Sequence, residues 1–302
     1  MNPESPSNEQ LKTLLGHFQN RRFNEAEILA KSITKEFPSH KFAWKILGAV
    51  FKQTGRINES IIFMHKSIQL DPQDAEAHNN LGVIYQDLGR FEEAEASYTK
   101  ATILQENYIE AYSNLGNILK DQGKLDKAVN VHEKAISINP NYSDAYYNMG
   151  LTLKLLGKLE ESKICYSKAI ELNPNHYKAY NNLGNILQDK GEIEEAIIAY
   201  NKALLINPNY IEAYNNIGNA FKDQGKLEDS IKSFKKTLSI NPNYAYAYNN
   251  IGNVLKDQGK LTESVESFKK ALSIKPDFAL ALNNMGVALK YQGKMKDALE
   301  AF

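Results

Sequence analysis

The chain has 302 residues, its 36 Lys and Arg balance 36 Asp and Glu, and it holds one cysteine, Cys165. Zero net charge leaves no basic footprint for nucleic acid, and a lone thiol excludes an internal disulfide. No stretch approaches the roughly 18 apolar residues of a membrane span, and the start MNPESPSNEQ lacks the basic and apolar regions of a secretory signal, so a cytoplasmic protein with no membrane partner is expected.

Residues 1–6 read as a disordered tail, and from residue 7 a period takes over. Of 17 glycines only Gly16 stands outside a series of pairs, Gly48/Gly55, Gly82/Gly89, Gly116/Gly123 and so on to Gly286/Gly293, each pair 34 residues after the last. Pro38, Pro72, Pro140, Pro174, Pro208, Pro242 and Pro276 keep the same beat. A period of this length marks a stacked-repeat chain and argues against a single closed core.

The first block, 7–40, is divergent: it has Gln10, Leu14 and Arg21 where later blocks have an aromatic and two glycines, as an end-capping repeat would. Seven regular blocks follow at 41–74, 75–108, 109–142, 143–176, 177–210, 211–244 and 245–278. In 75–108 Glu106 replaces the loop proline, which predicts a looser turn. The last block, 279–302, stops at Phe302 in the middle of its second helix. No polar cap covers it, so this end is expected to fray or to offer a face for self-association. An incomplete reading frame, or one module of a longer protein, would give the same ending.

Within block 211–244 apolar residues fall at Ala213, Tyr214, Ile217 and Phe221, then at Leu227, Ile231, Phe234 and Leu238, the spacing of two amphipathic helices. Gly225 suits the left-handed position that ends the first helix, and Pro242 stops the second. Each block is therefore helix A, tight turn, helix B, short loop. The fold class is all-α, a stack of antiparallel helix pairs in which neighbours bury what one pair leaves exposed.

Numbering each block from one, an aromatic at position 4 (Trp44, Tyr112, Tyr146, Tyr180, Tyr214, Tyr248) precedes glycine at 8. Alanine or serine at 20, an aromatic at 24, usually alanine at 27 and proline at 32 follow. This pattern resembles the tetratricopeptide repeat (TPR) over nearly the whole chain. The resemblance implies a right-handed α-solenoid, or superhelix, whose A-helices line the concave side and bind protein partners. The 34-residue period and neutral charge argue against pentatricopeptide RNA readers. The lysine and asparagine pattern of a carboxylate clamp is missing: the one lysine at position 5, Lys45, is paired with Ala49.

On a helical wheel, positions 2, 5, 6, 9, 12 and 13 of helix A lie opposite its core stripe. Position 6 is asparagine seven times running, at Asn80, Asn114, Asn148, Asn182, Asn216, Asn250 and Asn284; position 9 adds Asn117, Asn185, Asn219 and Asn253. Carboxylates Asp121, Asp189, Asp223 and Asp257 stand at position 13, with others at position 2, and lysines at position 12 hold the other edge. Asparagine is a mediocre helix former, so a merely wet face would favour other residues. Two readings remain. The amides pair with the backbone of an extended peptide, offering carbonyl and NH₂ together, or they satisfy the backbone of the neighbouring repeat. The first predicts a peptide-binding groove with two distinct edges, preferring ligands with hydroxyl or basic side chains. The asparagine row is also similar to the ladder of the O-linked N-acetylglucosamine (O-GlcNAc) transferases. That resemblance implies the alternative of a substrate-docking region for a glycosyltransferase, or another enzyme, whose catalytic domain lies beyond Phe302.

Signals for catalysis in these residues are not found. Gly116 to Leu125 is superficially like a phosphate loop, but six residues separate its glycines and Leu125 stands where Ser or Thr is needed. The six histidines are dispersed without metal spacing, with His78 and His132 at aromatic core positions. Cys165 reads as a structural or surface thiol and the tyrosines as packing. The expectation is a non-enzymatic module with no cofactor and no metal.

Overall fold

The computed structural model describes residues 5–301. Most of the predicted disordered tail lies outside that range, as does Phe302; within the tail Pro6 is buried, and the Ser7 side chain caps the first helix. The described residues form eighteen α-helices and no strand. The A-helices are α1 (Asn8–Gln19), α3 (Lys41–Gln53), α5 (Ala75–Asp87), α7 (Ile109–Asp121), α9 (Ser143–Leu155), α11 (Tyr177–Asp189), α13 (Ile211–Asp223), α15 (Ala245–Asp257) and α17 (Ala279–Tyr291). The B-helices are α2 (Phe23–Glu36), α4 (Ile57–Leu70), α6 (Phe91–Leu104), α8 (Leu125–Ile138), α10 (Leu159–Leu172), α12 (Ile193–Ile206), α14 (Leu227–Ile240), α16 (Leu261–Ile274) and α18 (Met295–Ala301). The all-α helix-pair architecture is the one the sequence predicts.

Contacts gather the chain into two compact units, 1–158 and 159–302. Inside each, an A-helix packs on its own B-helix and that B-helix on the next A-helix. Successive A-helices also touch, α1 with α3 through α7 with α9, and α11 with α13 through α15 with α17. Successive B-helices make no comparable contact among the described residues. The A-helices thus form the close layer of each unit, and the B-helices are splayed outside it.

The two glycines of a block do different work. The second has a left-handed backbone, with φ from 70° at Gly89 to 81° at Gly191, which ends helix A in one tight turn. The first is a seat for a ring. A Cβ on Gly218 would lie 2.5 Å from Phe234, on Gly82 2.6 Å from Tyr98, and on Gly116 2.3 Å from His132. Each ring belongs to position 24 of the paired B-helix and is fully buried there. Where position 20 is serine, its hydroxyl donates to the carbonyl of the same glycine, as Ser230 does to Gly218 at 2.7 Å. The first block inverts the pair: Leu14 and Ala30 are both buried and share one apolar cluster. Its turn uses Arg21 at φ 57°, the one described non-glycine residue with positive φ.

The turn at Glu106 is not looser. Tyr108 N–H donates to Gln105 C=O at 3.0 Å, as Tyr142 N–H does to Asn139 C=O at 3.1 Å, and the backbone at Gln105 matches that at Asn139. The loop is closed by this backbone bond, which does not depend on the proline ring. What Gln105 lacks is the short side-chain carbonyl that at Asn139 accepts from Asn141 N–H.

Candidate functional site

The asparagine row lies on the close layer of A-helices, and stacking decides what its amides do. Asn114 Nδ2 donates to Asn79 Oδ1 at 3.1 Å, Asn250 to Asn215 Oδ1 at 3.1 Å, and Asn284 to Asn249 Oδ1 at 3.0 Å. Asn216 Nδ2 donates both to Asn181 Oδ1 at 3.0 Å and to Asn185 Oδ1 at 2.9 Å. Asn148 Nδ2 reaches the Ser113 hydroxyl at 3.3 Å. Position 6 of one repeat therefore hands a proton to position 5 of the repeat before it. The second sequence reading holds for the amide nitrogen, although the acceptor is a side chain and not backbone.

Position 5 is the functional residue that the sequence reading passed over. Asn79, Ser113, Asn181 and Asn249 are buried, with Asn79 only 1% exposed. The signal was available in the doublets Asn79-Asn80, Asn181-Asn182, Asn215-Asn216 and Asn249-Asn250, where two short polar residues recur together. Tyr108 and Tyr142, at the block ends, lie over Asn79 and Ser113; burial raises both phenols, Tyr108 to about 12.

What remains open is the other half of the amide. Position 6 is half-buried in every block that has an asparagine there. The Oδ1 atoms of Asn114, Asn148, Asn216 and Asn284 accept no hydrogen bond among the described residues, whereas Asn250 Oδ1 takes one from Asn249 at 3.3 Å. At position 9, Asn117, Asn219 and Asn253 are half-buried and make no side-chain bond among the described residues. Asn185 is engaged, accepting from the Tyr200 hydroxyl at 2.9 Å. The surface of this layer is thus a row of carbonyl acceptors, with free amides at three position-9 sites.

The two expected edges are not separate. Position 12 of one helix meets position 13 of the next: Lys52 pairs with Asp87 at 3.0 Å, Lys222 lies 3.6 Å from Asp257, and Gln188 donates to Asp223 at 2.7 Å. Lys120 bonds Asp121 beside it at 2.6 Å. The offset of 35 residues is the same as in the amide row. Adjacent A-helices are staggered by one residue, which brings opposite charges together at Lys52–Asp87 and Lys222–Asp257. Of the predicted carboxylates Glu110, Asp189 and Glu212 carry no ion pair or side-chain hydrogen bond among the described residues, and the same holds for Lys154, Lys256 and Lys290 at position 12.

Elsewhere the residues with chemistry serve packing. His132 is fully buried with both ring nitrogens unpartnered, and burial lowers its pKa to about 4, so it is a neutral core ring. His78, half-buried, shares a 3.2 Å hydrogen bond with the Pro72 carbonyl, and Trp44 Nε1 donates to Pro38 C=O at 2.8 Å. Cys165 is buried and its thiol is pushed up to about 11, which keeps it out of the reactive thiolate form. No group of three or more His, Cys, Asp or Glu is placed to hold a metal among the described residues. No described helix is long and apolar enough to cross a membrane.

Comparison with known proteins gives the repeat its family. Residues 65–288 match the TPR model described as the Cilia and flagella-associated protein 70 C-terminal domain. No curated protein sequence matches the chain significantly. Among solved structures, the anaphase-promoting complex hetero-tetramer Cut9-Hcn1 aligns at TM-score 0.67 and 17% identity, over 93% of this chain and 55% of that one, so the chain spans about half its length. PilF of Pseudomonas aeruginosa aligns at TM-score 0.57 and 19% identity, over 64% of this chain and 88% of that one. YrrB, described as a TPR protein with an unusual peptide-binding site, aligns at TM-score 0.50 and 25% identity, covering 61% of this chain and 95% of its own. The likenesses under 25% identity show the fold, and the family rests on the matched TPR model; none of these matches bears on the O-GlcNAc transferase resemblance.

Proposed function

The chain belongs to the TPR family of the Cilia and flagella-associated protein 70 C-terminal domain, and on that premise we propose that it is a protein-interaction scaffold whose A-helix layer binds extended peptide segments. The observation that carries this reading is a set of unoccupied amide oxygens in each unit, Asn114 and Asn148 in the first and Asn216 and Asn284 in the second, held in place because their nitrogens are already bonded to the preceding repeat. Such oxygens accept the N–H groups of a peptide backbone and ignore its side chains. Packed helices lie about 8–10 Å apart and an extended chain of the polyproline-II kind advances about 3.1 Å per residue with about three residues per turn, so within each unit every third peptide N–H faces the row. Fixing each amide beforehand lowers the ordering cost of binding. Each bond contributes about 0.5–1.5 kcal/mol net, so affinity is micromolar or weaker and needs several rungs.

Because Lys52, Lys120 and Lys222 pair with carboxylates of the opposite edge, preference for basic over acidic peptides is weaker than sequence alone suggested. YrrB, a TPR relative described by its peptide-binding site, is consistent with peptide as the ligand class. The test uses the position-9 amides, which do not bridge repeats. The variant Asn117→Ala/Asn219→Ala/Asn253→Ala should bind a long unstructured peptide about tenfold more weakly, the loss of one or two hydrogen bonds, with an unchanged melting temperature. Titration calorimetry showing unchanged affinity would remove these residues from the site.

A further inference from the structure

The splayed B-helices leave grooves on the face opposite the asparagine row. In the second unit one groove of about 610 Å³ runs between α12 and α14. Its floor is Leu204, Tyr214, Ile217 and Phe221, so the position-4 aromatic, expected only to pack, is here part of a surface slot. The next groove, about 380 Å³, lies between α14 and α16 over Tyr248, Ile251 and Leu255. The two share Lys235.

The rims are basic where they overhang the apolar floor. Lys232, Lys235 and Lys236 are all exposed and make no ion pair among the described residues. Lys236 Nζ sits 6.0 Å from the centre of the Tyr214 ring, and Lys270 repeats this over Tyr248 at 6.0 Å. In the first unit Lys66, Lys100 and Lys134, at the position of Lys236, also make no ion pair among the described residues, but the positions of Lys232 and Lys235 hold Ile62, Ala96 and Asn130, and His65, Thr99 and Glu133, so the cluster of three lysines is particular to this groove. Unspent positive charge around an apolar slot is complementary to a ligand that carries carboxylates beside bulky apolar side chains.

We propose that the outer face of the second unit docks an acidic segment of a partner protein, its apolar anchor over Tyr214 and Phe221 and its carboxylates on Lys232, Lys235 and Lys236. A nucleic acid fits less well. The floor of Leu204, Ile217 and Phe221 rewards burial of apolar side chains, which a phosphodiester chain does not carry. This site uses α12, α14 and the stripe of α13 that carries Tyr214, Ile217 and Phe221, and stands apart from the asparagine row.

The test is fluorescence anisotropy on the full chain with a labelled synthetic peptide alternating glutamate with leucine and phenylalanine, read together with NMR shifts of the groove residues. The peptide should bind, shift Leu204, Tyr214 and Phe221, and weaken as salt rises. The variant Lys232→Glu/Lys236→Glu should lose about tenfold or more in affinity, with Lys235→Ala/Lys236→Ala losing less; both change exposed side chains, and circular dichroism melts verify folding. Asn117→Ala/Asn219→Ala/Asn253→Ala should leave this binding unchanged. Equal affinity of the charge-reversed variant would overturn the proposal. Equal binding of a glutamate peptide without apolar residues, of oligothymidylate, or of an anionic vesicle at the same residues would do so too. Loss of binding in the asparagine variant would place the peptide on the other face and likewise sink it.

Discussion

The first repeat and the sixth regular one, 211–244, solve one packing problem with opposite residues. In the sixth, helix A offers the bare backbone of Gly218 and helix B the Phe234 ring; in the first, Leu14 comes from helix A and Ala30 from helix B. The space between the helices is filled either way, by one large side chain and one small. The comparison teaches that a residue in this chain has meaning only with its partner. Partners stand at fixed separations: 12 residues within a pair, as in Ser230 with Gly218, and 35 between successive A-helices, as in Asn250 with Asn215.

The comparison breaks if the two pairs are independent of their surroundings. Leu14→Ala should cost about 2–5 kcal/mol in chemical denaturation, the range for emptying a buried leucine site. Gly218→Ala should cost about 1–3 kcal/mol by overpacking against the ring, although alanine is the better helix former. Carrying the first repeat's solution across, Gly218→Leu with Phe234→Ala, should recover stability relative to the sum of the two changes, by about 0.5–3 kcal/mol in a double-mutant cycle. Strict additivity would show that the two sites do not share one space.

His132 sharpens the comparison, because it puts a titratable ring where its neighbours have tyrosine or phenylalanine. Its folded pKa of about 4 lies below the unfolded value of 6.5, so the unfolded chain binds the extra proton first. Stability is therefore intact above pH 6.5, falls between about 6.5 and 4, and levels off below; the total loss is roughly 3 kcal/mol. His132→Phe should flatten this part of the pH–stability curve. A slope that persists in the variant would mean that other groups cause it.

Two asparagines three residues apart separate stacking from ligand contact. Asn216→Ala leaves the buried carbonyl of Asn181 without its partner and should cost about 1–3 kcal/mol. Asn219→Ala touches no bonded group and should stay within about 0.5 kcal/mol of the native chain. The gain in stability that alanine's helix propensity suggests for the whole row is overturned by these inter-repeat bonds. Arg21→Gly is a small effect of the opposite sign. Relief of a left-handed arginine, offset by the entropy of glycine, should raise stability by about 1 kcal/mol or less, visible as a small upward shift in melting temperature.

Much of this was legible in the sequence because periodicity exposes it. The glycine and proline beat gave the helix pairs, and the row at position 6 was visible as seven identical residues. What was not legible was register. Nothing in one repeat says that position 6 meets position 5 of the repeat before, or that Lys222 faces Asp257; that stagger arises only when A-helices pack side by side. The role of the first glycine was hidden for the same reason, since its partner ring lies 16 residues on in another helix (Gly218 and Phe234). The inversion at Leu14 and Ala30 was the clue. The outer grooves follow from the splay of the B-helices, a property of the stack and of no single block.

The central claim is that a row of pre-bonded amides accepts the N–H groups of a peptide backbone. The direct measurement is calorimetric titration with four peptides of the same unstructured sequence, one natural and three N-methylated at every third residue, one in each methylation register. One register should abolish measurable binding while the other two weaken it less, and exchanging side chains at fixed backbone should change affinity little. Equal binding of the natural peptide and of all three methylated forms would show that the asparagine oxygens hold no backbone, and that the row exists only to join one repeat to the next.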